Sequence, residues 1–313
     1  MQTAPTQQAI RVARLVSSPT LPAGSRVRLV GLACIVCTAL GWGLNWPATK
    51  FLLTTCPPLT ARGVSGLVAG AALFAVAACI GETLIVPRPL WGRLVVAALL
   101  NVSAWMGLTT ASLLWLPAGQ AATLAYSMPV WAALLAWPIL NERPVPRQIG
   151  AIVLGIFGVV ILVGGANVEM DATRFPGVAI ALSAAILFAC GTVLSKRMPI
   201  PLPRVALTAW QVLLGCIPLL GAGLGFERAD LTALPLIGWV ALAYTAFISM
   251  GMCYLLWFAG VRRLSTSNAA IGTLLTPVVG VAASAVALGD PLTMSQLVSL
   301  GLVVAGIILA VRD

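Results

Sequence analysis

The sequence predicts an all-α integral membrane protein, with ten transmembrane helices arranged as two inverted five-helix repeats. Of 313 residues, 60% are hydrophobic and 8% are charged, whereas soluble domains carry roughly 25% charged residues. Apolar runs of roughly 20 residues, the length that crosses a hydrocarbon core, recur from Leu29 almost to the C-terminus. The second half of the chain also repeats landmarks of the first at a nearly constant offset.

Pro, Gly and charged residues divide the apolar stretch into spans near 29–49, 57–80, 90–114, 117–140 and 147–164, then 176–195, 204–225, 232–260, 264–289 and 292–311. Each must be helical, because an unsatisfied backbone amide in lipid is costly and a helix satisfies its own. The expected organisation is a tail over 1–28, a first repeat over 29–165 and a second over 166–313. The tail carries Arg11, Arg14, Arg26 and Arg28 without an apolar core. No cleavable signal peptide is expected there, and the first span serves as its own insertion signal.

A net charge of +10 would suit a nucleic-acid binder if it were clustered on one solvated face. Here the basic residues stand singly or in pairs between apolar runs, as membrane loops require, so a nucleic-acid partner is not expected. An N-terminus inside places fourteen Lys and Arg on the cytoplasmic side and leaves Lys50, Arg62, Arg174 and Arg228 outside. Both termini are therefore expected in the cytoplasm. The seven cysteines lie mostly within apolar runs. Cys34 and Cys37 form a C-x-x-C, but with no His in the chain and no second pair they read as packing residues rather than zinc ligands.

Shifting the sequence by 148 residues lays Leu116, Ala121, Ala122, Pro129, Val130, Leu140, Gln148 and Gly158 on Leu264, Ala269, Ala270, Pro277, Val278, Leu288, Gln296 and Gly306, with Glu142 on Asp290. A shift of 146 lays Ala39 to Lys50 on Ala185 to Lys196, with Trp42 on Phe188. Five spans per repeat return the chain to the opposite side, so the second repeat enters the membrane upside down. Such repeats suit alternating access around a midplane site.

All eight acids fall in loops or at span ends, so no intramembrane carboxylate is available for proton or sodium coupling. Glu142 and Asp290, each close to a proline, read as helix N-caps. No basic residue is expected at the midplane, which disfavours phosphorylated cargo and leaves a neutral, zwitterionic or cationic solute. Acid, base, metal and nucleophile constellations are missing, so an enzyme is not expected. No cofactor is expected either.

Candidate lining comes from polar and aromatic residues inside the spans. Trp42, Asn45, Trp46 and Thr49 share one helical face, and Asn101, Trp105 and Ser112 follow in the third span. The fourth span offers Gln120, Tyr126, Ser127 and Trp131, the seventh Trp210 and Gln211, the eighth Tyr244 and Tyr254, and the ninth Asn268 and Thr276. Aromatic walls with a few amides suit a ring-bearing amino acid or a flat cation. Asn45 and Asn101 fit either lining or a link between helices. Trp46, Trp91, Trp115 and Trp239 read as interfacial anchors. Gly66 and Gly70 read as a tight packing face. Pro129 and Pro277 interrupt corresponding spans, as a gate or as static kinks. Spans five and ten, nearly free of polar residues, read as peripheral.

The stretch Leu140-Asn141-Glu142-Arg143-Pro144 with Gln148 and Gly158 resembles the drug/metabolite transporter superfamily, in particular its EamA-type members with two five-helix repeats. So do Leu255-Leu256-Trp257-Phe258, the segment Arg262 to Ala270, and Thr276-Pro277-Val278. Asn141 stands where that pattern usually has Gly, and Asp290 where a second Glu stands. The resemblance implies a bacterial inner-membrane exporter of amino acids or related metabolites, aromatic amino acids in particular. Its partners would be a small-molecule cargo and the lipid bilayer, acting as a monomer or homodimer. A multidrug or quaternary-cation exporter is the alternative, ahead of a membrane enzyme or a receptor.

Overall fold

Hydrocarbon offers a backbone amide no water to bond, so each apolar run closes its hydrogen bonds within itself. The computed structural model describes residues 25–143, 145–164, 173–264 and 272–311; it is 82% helical, without strands among the described residues. Eight helices are long and apolar enough to cross a membrane. They are α1 (Ser25–Leu52), α2 (Pro58–Cys79), α3 (Arg88–Ser112), α4 (Ala118–Leu140), α5 (Pro146–Gly164), α6 (Phe175–Arg197), α7 (Arg204–Phe226) and α8 (Leu236–Val261). Two further apolar helices are α9 (Leu275–Leu288) and α10 (Met294–Val311). Arg11, Arg14, Pro144, Glu169, Asp171, the segment Ser265 to Ala270 with Asn268, Arg312 and Asp313 lie outside the described residues.

The packing has two-fold character under the exchange of α1 with α6, α2 with α7, α3 with α8, α4 with α9 and α5 with α10. The most extensive pairs are α2 with α7 and α5 with α10, each a helix and its own counterpart. In addition, α1 packs on α8 and α9, while α6 packs on α3 and α4. The first helix of each repeat is thus lodged against the other repeat.

Glycines permit the closest of these approaches. A Cβ on Gly66 would collide with the Cys216 sulfur, and one on Gly70 would lie 2.8 Å from the Leu213 side chain, so this face of α2 is set directly on α7. At the other self-pair, Gly158 faces the Ser299 carbonyl of α10, and Gly306, 148 residues on, faces the Ala151 carbonyl of α5. Each helix offers its partner the same contact, the geometry of a two-fold interface.

Several helices begin after a proline: Pro57, Pro117, Pro203 and Pro235 occupy the N-cap positions of α2, α4, α7 and α8. Proline fixes the entry angle but has no side-chain acceptor for the orphan N–H groups of the first turn. In α2, α4 and α7 those groups are capped from elsewhere. Glu227, just after α7, accepts hydrogen bonds from the N–H groups of Leu59 (2.9 Å) and Thr60 (2.8 Å) at the start of α2, and from the Thr60 hydroxyl. At the opposite end Glu82, just after α2, accepts from the N–H of Ala206 (2.8 Å) at the start of α7. Each carboxylate also meets the positive end of its partner's helix dipole.

Glu142 and Asp290 do not cap the helices that follow them. Glu142 pairs with Lys196 at 2.7 Å on the exposed end of α6, and Asp290 accepts from the N–H of Gly119 (3.3 Å) at the start of α4. The first turn of α10 is held by the Thr293 hydroxyl, which accepts from the N–H of Gln296. Gln148 caps α5 by reaching back to the N–H of Val145. A nearby proline therefore did not identify the capping acid; the acids bridge between helices.

Glu227→Ala should destabilise the protein by about 1–2 kcal/mol, by orphaning two N–H groups and a hydroxyl, and should lower the thermal midpoint in detergent. Glu82→Ala should do likewise at the other end of the pair. Asp230 is fully exposed; its carboxyl bonds the amide and hydroxyl of Thr232, which hold it below the ordinary carboxylate range. Asp230→Ala should leave the midpoint nearly unchanged.

Candidate functional site

α4 is interrupted, and a turn residue stands immediately before α9. In α4 the helix breaks at Tyr126 and Ser127 and resumes at Met128; Gly272 and Thr273 are helical, the turn falls at Leu274, and α9 begins at Leu275. Pro129 and Pro277 each lie just past the break. A proline has no N–H for the residue four back and its ring crowds that carbonyl, so the break falls where the sequence demands it, at positions equivalent under the 148-residue shift.

A second pair of irregularities lies in α3 and α8. Leu99–Ala104 and Tyr244–Met252 form π-helical turns, and such turns concentrate at functional sites. The widened turn in α8 presents the Ser249 carbonyl, which accepts a hydrogen bond from the Trp42 indole N–H at 2.9 Å. Ser103, in the α3 turn, donates to the Gly215 carbonyl of α7 at 2.6 Å.

The rings gather around these irregularities in two groups. Trp42 of α1 lies 5.6 Å from Tyr254 and 6.0 Å from Trp257 of α8, and Tyr254 stacks on Phe258 at 6.4 Å. Trp105 of α3 lies 4.8 Å from Phe188 of α6 and 6.3 Å from Tyr126, which in turn lies 6.2 Å from Trp46. Phe188 is the repeat counterpart of Trp42. Each group therefore sets a ring of a first helix against the third helix of the other repeat. The Tyr244 hydroxyl donates to the Gly41 carbonyl of α1 at 2.8 Å.

Of the predicted lining residues, Trp42, Tyr244 and Tyr254 meet at the α1–α8 contact, and Trp105 and Tyr126 meet at the second ring group. Asn101 donates to the Ser195 hydroxyl at 3.4 Å and so links α3 to α6. The Asn45 Oδ1 is buried with no hydrogen-bond partner. Trp131 donates to Ser127 across the break in its own helix. Trp210 stands apart from both groups: it packs on Phe74 and Trp91 and donates to the Leu84 carbonyl of the loop after α2, with half-buried Gln211 beside it in sequence. Trp46 is not an interfacial anchor. It is 7% exposed and packs on Tyr126 and against Gly280, whereas Trp91, Trp115 and Trp239 are exposed.

An open recess of about 470 Å³ lies between α2, α7 and α8, lined by Val76, Ile80, Glu82, Arg204, Val205, Leu255, Phe258 and Arg262. Phe258 joins it to Tyr254 and Trp42. Arg62, counted among the basic residues left outside although it falls within the 57–80 span, is inside the bundle and 7% exposed. Its Nε donates to Thr110 Oγ1 at 2.6 Å and its Nη2 to Thr49 Oγ1 at 3.1 Å. The signal for this placement was the Pro57-Pro58 pair, which starts α2 before Arg62 and so carries the residue into the helix. Thr110 and the π-helical turns had no sequence signal.

The sequence matches the EamA-like transporter family twice, over residues 29–164 and 175–312. The chain belongs to the EamA-like transporter family. A Salmonella typhimurium relative named "Probable amino-acid metabolite efflux pump" is 32% identical, over 85% of this chain and 89% of its own. The uncharacterized transporter YvbV of Bacillus subtilis is also 32% identical, over 86% and 87%. A crystal structure at 21% identity superposes with a TM-score of 0.65 over 91% of this chain and 96% of that one, which supports the fold. This EamA-like transporter is accordingly a multi-pass membrane protein, and several of its relatives are named as transporters or efflux pumps.

Replacing Pro129 and Pro277 together by alanine should let α4 and α9 run continuously, since a proline inside a helix costs about 3 kcal/mol. Solute flux through proteoliposomes should then fall several-fold if the breaks work as gates, and stay at the wild-type rate if they are static kinks.

Proposed function

We propose that the protein exports small organic metabolites, most of all neutral and aromatic amino acids, across a bacterial inner membrane by alternating access between its two repeats. The observation that carries the reading is the pair of equivalent breaks within α4 and just before α9, next to two equivalent ring groups. Interrupted helices at matching positions of inverted repeats are the strongest pointer to a transporter's site. Trp42, Trp105, Tyr126 and Tyr254 would supply flat apolar walls for a cargo side chain. Asn45 would supply a polar contact, and so would the Oδ1 of Asn101, which is likewise buried without a partner while its amide N–H holds Ser195. Pro129 and Pro277 would act as the gates, with residues 29–165 and 166–313 as the exchanging repeats. Relatives named as amino-acid metabolite efflux pumps, in Salmonella typhimurium and Escherichia coli, favour amino acids over other cargo.

The recess at the α2–α3 loop end would face the cytoplasm, with both chain termini, and would serve as the loading side. Every carboxylate among the described residues stands at a helix end, in a loop or at the surface. Exchange or facilitated flux therefore fits better than obligatory proton antiport, which usually keeps an acid within the membrane.

The test is counterflow of labelled phenylalanine, tryptophan, methionine and threonine in proteoliposomes, with and without an imposed pH gradient. Flux that ignores the gradient is expected. Flux that requires it would overturn the uncoupled mechanism. Inhibition by quaternary amines without any amino-acid flux would transfer the assignment to a cation exporter.

A further inference from the structure

Arg62 is a buried cation beside the proposed cargo path. It lies in the second turn of α2, buried between α1 and α3. A charge placed there is expensive and is kept where it has work to do. Among the described residues it has no carboxylate within ion-pair distance, and its ionisable neighbours are Cys216 and Tyr254. A guanidinium has five N–H donors in a planar fork, and among the described residues only two bonds to protein are made, to the hydroxyls of Thr49 and Thr110. Those two hydroxyls fix the plane of the fork and leave the charge uncompensated. The group is therefore oriented and short of an anion.

Thr49 belongs to the face of α1 that carries Trp42, Asn45 and Trp46. One turn before it, about 6 Å along the axis, stands Asn45, whose buried Oδ1 accepts no hydrogen bond. The threonine that holds the cation and an unused acceptor thus stand one turn apart on the α1 face that carries Trp42 and Trp46. That is the complement of a zwitterion: carboxylate, ammonium and a side chain for the rings.

We propose that the Arg62 guanidinium, held by Thr49 and Thr110, binds the carboxylate of the cargo, with Asn45 Oδ1 receiving its ammonium. The assignment rests on the amino-acid reading above and adds the groups that select for it. It also supplies the discrimination that aromatic walls alone lack, since a buried fixed cation repels a quaternary amine and attracts a carboxylate.

Three ligands test it on the purified full-length protein in detergent: phenylalanine, phenylalaninamide (no carboxylate) and 3-phenylpropionate (no amine). Wild type should prefer phenylalanine over its amide by about tenfold or more, the scale of one charge-assisted bidentate contact. In Arg62→Gln that preference should collapse to about twofold or less, while binding of the amide holds or improves. Arg62→Lys keeps the charge but loses the fork, so it should keep the preference with weaker binding. Asn45→Ala should erase the distinction between phenylalanine and 3-phenylpropionate alone.

A purely structural Arg62 would weaken all three ligands together. An unchanged preference in folded Arg62→Gln overturns the proposal. Should that variant fail to fold, equal affinity of Arg62→Lys and wild type for phenylalanine overturns it instead. If wild type neither binds nor moves amino acids but binds 3-phenylpropionate through Arg62, the cargo reading falls and the carboxylate site stands. If amino acids are carried with no dependence on Arg62, the reverse holds, and binding of none of the three removes both.

Discussion

Hydrocarbon supplies no hydrogen bonds, so a chain that lives in it must satisfy its polar groups from its own residues. That demand makes every apolar run a helix, and it also decides where the helices meet. Prolines at the helix starts leave first-turn N–H groups without a local acceptor, and Glu227, Glu82 and Asp290 reach across from other helices to supply one. Secondary structure and tertiary contact are thereby tied together, because α2 is completed by a residue that follows α7, and α7 by a residue that follows α2.

This reciprocity extends through the bundle. Self-pairs such as α2 with α7 and α5 with α10 can form only if the halves are related by a two-fold operation, because each helix presents the same face to its counterpart. Gly158 and Gly306 display it directly, each meeting the carbonyl that corresponds to the other's. Lodging α1 against α8 and α9, and α6 against α3 and α4, links the conformations of the two repeats. A displacement in one is felt in the other through packed side chains rather than through a loop. In the proposed cycle this coupling lets two similar halves exchange roles.

The same demand, left unmet, marks the site. Helix breaks and a buried arginine are tolerated only where protein rather than lipid surrounds them, and both occur beside α1, on which the π-helical turn of α8 also packs. The ring groups on α1 and α6 are equivalent in position but not in chemistry, since Trp42 faces Tyr254 and Trp257 whereas Phe188 faces Trp105. Arg62, Thr49 and Asn45 all belong to the first repeat, so the binding chemistry is asymmetric within a symmetric frame.

Spacing, composition and the repeat determined the helical class, the positions of the spans, the paired breaks at Pro129 and Pro277 and the close packing at Gly66 and Gly70. These are local or periodic properties: a proline breaks its own helix, and an apolar run of sufficient length has no alternative to helix in lipid. Only the tertiary structure decided that Glu82 and Glu227 cap helices across the bundle, that Trp46 turns inward, that Trp210 stands apart with Phe74 and Trp91, and that Arg62 is buried between two threonines. Each of these depends on which distant helix lies opposite. A residue such as Arg62, close to a span end, reads the same in sequence whether it meets water or the inside of the protein.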